Sequence, residues 1–129
     1  MKLEAVELIR LNVPLKSAFR TSFSSVSMHE VVWAHVITDQ GEGWAECGAN
    51  DRPDYSSEYH TAAMDVMKKF IIPDLFALGD DLTAEKVAPT LHWMKGHRMA
   101  KAALETSLLD AQLRHQGISF AKYFGAVKD

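Results

Sequence analysis

From Lys2 to Val13 the apolar residues Leu3, Val6, Leu8, Leu11 and Val13 are interrupted by charge at near-alternate places, the pattern of a strand with one buried face. Pro14 lacks the N–H that a ladder requires and is expected to weaken or end that strand. Ser17 to Ser27 contains five serines, one threonine and two phenylalanines without a sustained period, which predicts a loop that carries large apolar side chains over a polar backbone. Val31, Val32, Trp33, Val36 and Ile37 form the run richest in β-branched and aromatic residues. Asp39-Gln40-Gly41-Glu42-Gly43 then supplies turn chemistry leading into Trp44-Ala45-Glu46-Cys47, so a hairpin is expected. With the first strand it makes a three-stranded antiparallel sheet.

A second irregular stretch follows from Ala49 to Tyr55, where Asn50, Asp51, Pro53 and Asp54 all favour turns. Ser56 or Ser57 is placed to cap a helix carrying Ala62, Ala63, Val66, Met67 and Phe70 at helical spacing, which Pro73 should end. Another helix is expected from Thr83 to about Met94 despite Pro89, with Gly96 beyond it. The longest runs from His97 to about His115, with Ala100, Leu104, Leu108 and Ala111 on one face and Gly117 as its stop. A short turn from Ser119 to Phe124 closes the pattern. Strands that precede helices, without alternating with them, predict an α+β class: a three-stranded antiparallel sheet over about 2–49 and three to four helices over about 57–124.

Composition narrows the classes. The 129 residues are 47% hydrophobic and 24% charged, as in one soluble globular domain, and the net charge of -3 gives no reason to expect a nucleic acid or an anionic membrane as partner. One cysteine, Cys47, excludes an internal disulfide framework and fits a reducing compartment, so the cytoplasm is expected. No signal peptide or membrane span is read. A (β/α)8 barrel takes roughly 250 residues, so barrel chemistry cannot be complete within this length.

Catalytic constellations are absent from the pattern: no phosphate-binding glycine loop, no nucleophile elbow, no H-E-x-x-H and no paired-cysteine spacing. His29, His35, His60, His92, His97 and His115 are scattered over different elements and read as surface or structural residues, with no metal site among them. Cys47 is expected to pack in the core. Glu46 and Asp110 are expected to make structural hydrogen bonds or ion pairs. Lys95, His97, Arg98 and Lys101 cluster near a helix start and fit either an interdomain contact or an anion site. The two loops carry the most chemistry: Phe19, Phe23 and Tyr55 are large, and Arg20 could offer a cationic handle to a carboxylate-bearing ligand. Packing of these aromatics on their own sheet is the alternative.

Several segments together resemble the N-terminal capping domain of the enolase superfamily, muconate-lactonising subgroup, and within it the N-acylamino acid racemase and o-succinylbenzoate synthase family. They are Pro14-Leu15 with Ala18-Phe19-Arg20-Thr21-Ser22-Phe23, the strand Gly41-Glu42-Gly43-Trp44-Ala45-Glu46-Cys47, Tyr55-Ser56-Ser57-Glu58-Tyr59, and the run from Lys95 to Glu105. The resemblance covers essentially the whole chain. It implies a domain that closes over a C-terminal barrel, with the two loops setting substrate specificity. It further implies a small carboxylate substrate, an N-acylamino acid or a succinylbenzoate precursor, and a homo-oligomeric full-length enzyme. The barrel would carry paired lysines, one in a K-x-K motif, and the ligands of a divalent ion, magnesium or manganese, that stabilises the enediolate left by removal of a proton alpha to a carboxylate. None of these groups is expected in the present chain, which reads as a fragment or truncated product, inactive alone. Carried over by position, Phe19, Arg20, Thr21, Phe23, Asn50 and Tyr55 are the substrate-facing residues. Asn50, Asp51 and Arg52 stand where many relatives have apolar or small residues, which implies a pocket less suited to a bulky apolar side chain. A free-standing α+β interaction module, or the cap of a dipeptide epimerase, cycloisomerase or sugar-acid dehydratase, is the competing expectation.

Overall fold

A computed structural model describes residues 1–22 and 24–127. Three strands, β1 (Leu3–Arg20), β2 (Ser25–Thr38) and β3 (Gly41–Cys47), form one antiparallel sheet in the order β1-β2-β3. Helices follow: α1 (His60–Val66), α2 (Ile72–Ala77), α3 (Ala84–Thr90), α4 (Arg98–Gln116) and α5 (Phe120–Tyr123). The α+β class and its three-stranded antiparallel sheet are as expected.

Alternation along β2 decides which face is covered. Val32, Ala34 and Val36 point one way and are fully buried, and their cross-strand partners Leu8 and Val6 on β1 and Cys47 and Ala45 on β3 share that face. Against it lies α4, which contributes Ala100, Ala103, Leu104, Leu108 and Ala111 to the core. Burying a leucine such as Leu104 or Leu108 stabilises the fold by about 1.5–3 kcal/mol. The approach is closest at Gly43, where a Cβ would collide with Ser107 O and Ala111 N of the helix. Asp110 locks the junction: its carboxylate accepts from the Trp44 backbone N–H at 2.9 Å and from Arg114 Nε at 2.8 Å. That carboxylate is both hydrogen-bonded and ion-paired, as its apolar surroundings require.

Local differences from the sequence reading have definite causes. β1 continues through Pro14 to Arg20, because β1 is an edge strand and a shift in register between Pro14 and Phe19 absorbs the missing donor. The stretch from Ser17 to Ser27 is therefore mostly ribbon, turning at Thr21–Ser24, where the Thr21 N–H reaches Ser24 O at 2.8 Å. Neither Ser56 nor Ser57 caps α1, which begins at His60 behind Tyr59 without a side-chain cap. Helical structure does not stop at Pro73. A π-helical turn over Met67–Ile71, with the Ile72 N–H donating to Met67 O, widens the chain ahead of it, and Pro73 falls in the first turn of α2, where an N–H is dispensable. α3 ends at Thr90, four residues short of Met94, and its first N–H is held by Gln112 Oε1 at 3.1 Å in place of a Thr83 cap. α4 closes as expected at Gly117, whose φ of 65° only glycine adopts without strain.

Candidate functional site

Beyond Pro14 the described residues of the β1–β2 ribbon are mostly exposed, and Phe19, Arg20 and Thr21 lie at its distal end. Phe19 is 64% exposed, so it packs on no part of its own sheet that would bury it. The Arg20 guanidinium forms no ion pair among the described residues, which leaves its planar donor fork open to a carboxylate. Thr21 Oγ1 accepts from the Ser24 N–H at 3.0 Å, so this threonine shapes the turn. Phe23, also expected at the site, lies outside the described residues.

The second loop is closed at its base. Asn50 bridges to Tyr59, and Asn50 O accepts from the His60 N–H at 2.9 Å. Asn50 thus sits at the root of the loop while Tyr55, 85% exposed, sits near its tip. No hydrogen bond or ring contact joins Tyr55 to the ribbon end among the described residues. Each tip presents an exposed aromatic ring, Phe19 on the ribbon and Tyr55 on the second loop.

Three groups were not legible in the sequence as features of note. Glu58 reaches from the second loop to the start of α4, where its carboxylate accepts from the Met99 N–H at 3.0 Å and the Ala100 N–H at 3.3 Å. His60 is fully buried with neither ring nitrogen hydrogen-bonded. Its Nδ1 lies 3.7 Å from Glu30 Oε2. That carboxylate takes a 2.6 Å bond from Arg10, and chiefly for this reason Glu30 is held below the usual carboxylate range. His35 lies on the sheet face away from α4, stacked on Trp44 with ring centroids 3.7 Å apart. Its Nδ1 meets Glu7 at 2.9 Å and its Nε2 meets Glu42 at 2.7 Å. Burial alone would depress its pKa, but hydrogen bonds donated to the Glu7 and Glu42 carboxylates outweigh burial and raise it. Cross-strand pairing could have found this cluster, because Glu7 and Trp44 stand directly opposite His35.

The basic cluster divides. Lys95, Arg98 and Lys101 border a recess of about 310 Å³ together with Leu91, Met94 and Glu105. Lys101 Nζ is committed to Met94 O at 2.6 Å, where it ties the preceding turn to α4. Cys47 is buried, and burial pushes its thiol up, which makes it a packing residue. Glu46 is half exposed, 3.7 Å from His29.

The architecture is a three-stranded antiparallel sheet with a helical layer on one face and two loops whose aromatic residues Phe19 and Tyr55 are exposed. The chain belongs to the mandelate racemase / muconate lactonizing enzyme N-terminal domain family, whose pattern matches residues 5–125. It is 49% identical over 129 residues to an N-succinylamino acid racemase from Amycolatopsis sp, covering 100% of this chain and 35% of that protein. An o-succinylbenzoate synthase from Listeria innocua is 30% identical over 130 residues, with 100% of this chain and 35% of that protein covered. Among solved structures, an enolase superfamily member from Listeria innocua superposes with a TM-score of 0.89 at 29% identity, covering 100% of this chain and 35% of that one. The chain thus spans about a third of the length of its curated relatives, and the family implies a C-terminal domain beyond it. Enolase superfamily members are generally dependent on a divalent metal. Among the described residues no group of three or more His, Cys, Asp or Glu side chains converges on one point, so the donors present do not fit such an ion. Among the described residues no helix is long and apolar enough to cross a membrane.

Proposed function

We propose that this chain is the substrate-covering domain of an enzyme that removes a proton alpha to a carboxylate, with N-succinylamino acids as its substrate class. The carrying observation is the pair of unburied loop tips, with the Phe19 and Tyr55 rings exposed and Arg20 without an ion-pair partner among the described residues. Both curated relatives are named for molecules that bear a succinyl carboxylate. On this reading Arg20 pairs with that carboxylate, and Phe19, Phe23 and Tyr55 wall the substrate from water. Thr21 holds the ribbon turn and Asn50 anchors the second loop. Exclusion of water strengthens each electrostatic contact inside the closed site. The bases and the divalent ion, magnesium or manganese, belong to the barrel domain, where the ion would stabilise the developing enediolate. The barrel is the domain's obligate partner. The full-length enzyme is a cytoplasmic homo-oligomer.

A second reading, o-succinylbenzoate synthesis, draws on the Listeria innocua relative and would use the same loops. Two measurements on the polypeptide from its native source separate these readings from a free-standing interaction module. The intact mass should be about 40 kDa, a cap plus a barrel of roughly 250 residues. Added magnesium should support exchange of the alpha proton of N-succinylamino acids in D2O, and Arg20→Ala should raise KM on the order of tenfold through loss of a charge-assisted pair. A mass of 14.4 kDa with no exchange would leave only the interaction module.

A further inference from the structure

We propose that Glu58 is the positioning residue that fixes the second loop over the substrate, acting through the N-terminus of α4 and not by touching substrate itself. The inference rests on the reading of the loops given above. Residues 51–55 are exposed, with a turn at Pro53–Asp54, and none of their side chains is hydrogen-bonded to another described residue. Two restraints hold them. One is the base, where Asn50 O meets the His60 N–H. The other is Glu58, three residues past Tyr55, whose carboxylate occupies the Met99 and Ala100 amides.

The helix end is built to need this outside group. His97, which precedes α4, has φ of 51° and contributes no side-chain cap, and the first turn of α4 contains no acid. Arg98 and Lys101 place cations where the helix dipole is already positive. An ionised carboxylate brought from the loop answers both deficits. Ser56 adds a local brace, with its Oγ accepting from the Glu58 N–H at 3.2 Å and lying 3.8 Å from Met99 Sδ. The reciprocal consequence is that α4, anchored in the core by Leu104 and Leu108, becomes the rigid body on which Tyr55 is aimed. A misplacement of the order of 1 Å in a substrate-facing group can cost up to about a hundredfold in rate, so loop position is a specificity variable.

The test compares Glu58→Ala, Glu58→Gln and, as a control, Gln112→Ala, which removes the acceptor at the start of α3 instead. Backbone 15N relaxation and amide exchange are read on the full-length enzyme that carries this chain. KM and kcat for N-succinylamino acids are read on the same enzyme. Glu58→Ala should lower order parameters across 51–57 and speed His60 amide exchange. It should raise KM on the order of tenfold with kcat within about twofold. Glu58→Gln, which keeps an acceptor oxygen, should recover most of the loss, and Gln112→Ala should change neither loop order nor KM. Faster exchange at Met99 and Ala100 with loop order and KM unchanged would overturn the proposal, leaving a helix cap alone. Equal loss in Glu58→Gln and Glu58→Ala would also overturn it. Wild-type enzyme without turnover of any succinylated substrate overturns the functional reading, and the positioning role with it, whatever the relaxation data show.

Discussion

The proximal and distal halves of the β1–β2 pair follow the same backbone pattern and have opposite fates. Between Leu3 and Thr38 the proximal half lies under α4, and its β2 residues Val32, Ala34 and Val36 are fully buried. Beyond Pro14 the described residues of the ribbon are paired with no third strand, and apart from half-buried Leu15 they are exposed. A two-stranded ribbon is marginal in isolation. The difference teaches that hydrogen bonding alone shapes the distal half, whereas packing shapes the proximal half. Surface side chains can therefore vary there at little cost to the fold.

The largest effect expected from breaking this contrast lies at the sheet–helix junction. Leu108→Ala, which opens a cavity under β2, should destabilise by about 2–5 kcal/mol in urea denaturation. Gly43→Ala drives a methyl group into the α4 backbone and should cost about 1–3 kcal/mol by the same measurement. At the far end, Phe19→Ala removes a side chain that is mostly exposed and should shift stability by less than about 0.5 kcal/mol. If Phe19→Ala proved as damaging as Leu108→Ala, the two halves would not be energetically distinct.

A smaller effect sharpens the contrast through pH. His35 has its pKa raised in the fold, so its contribution is fully present below the unfolded histidine value of about 6.5. It is lost as pH rises through the folded pKa. Tm should therefore fall between neutral and mildly alkaline pH in the wild type more than in His35→Phe. Equal slopes for the two proteins would show that the Glu7–His35–Glu42 array does not couple to stability.

Much of the core and little of the site was legible in the sequence. Strand alternation at Val32, Ala34 and Val36 and the apolar stripe of α4 are local signals, repeated often enough to outvote noise. Pro14 and Pro73 misled because their cost depends on surroundings: an edge strand forgives one and a π turn accommodates the other. Arg20, Phe19 and Tyr55 stood out by residue type, but nothing local to either segment says whether their tips meet. Glu58 stood out only as one position of the Tyr55-Ser56-Ser57-Glu58-Tyr59 segment. Its true partner lies 41 residues away, beyond the reach of any periodicity. His60, as one scattered histidine among six, gave no sign that it would be wholly enclosed.

The bond from the Trp44 amide to Asp110 also carries a cost in time. Its partners are 66 residues apart, and a ribosome adds about 5–20 residues per second. Roughly 3–13 s therefore pass between synthesis of β3 and arrival of the helix that covers it. Until then Val32, Ala34 and Val36 lack the helix that covers them in the folded core, and apolar surface left open during synthesis is the kind that chaperones hold. The domain cannot be assembled strand by strand. It waits for residue 111, and its vulnerability during synthesis is set by the sequence distance between a tryptophan amide and an aspartate.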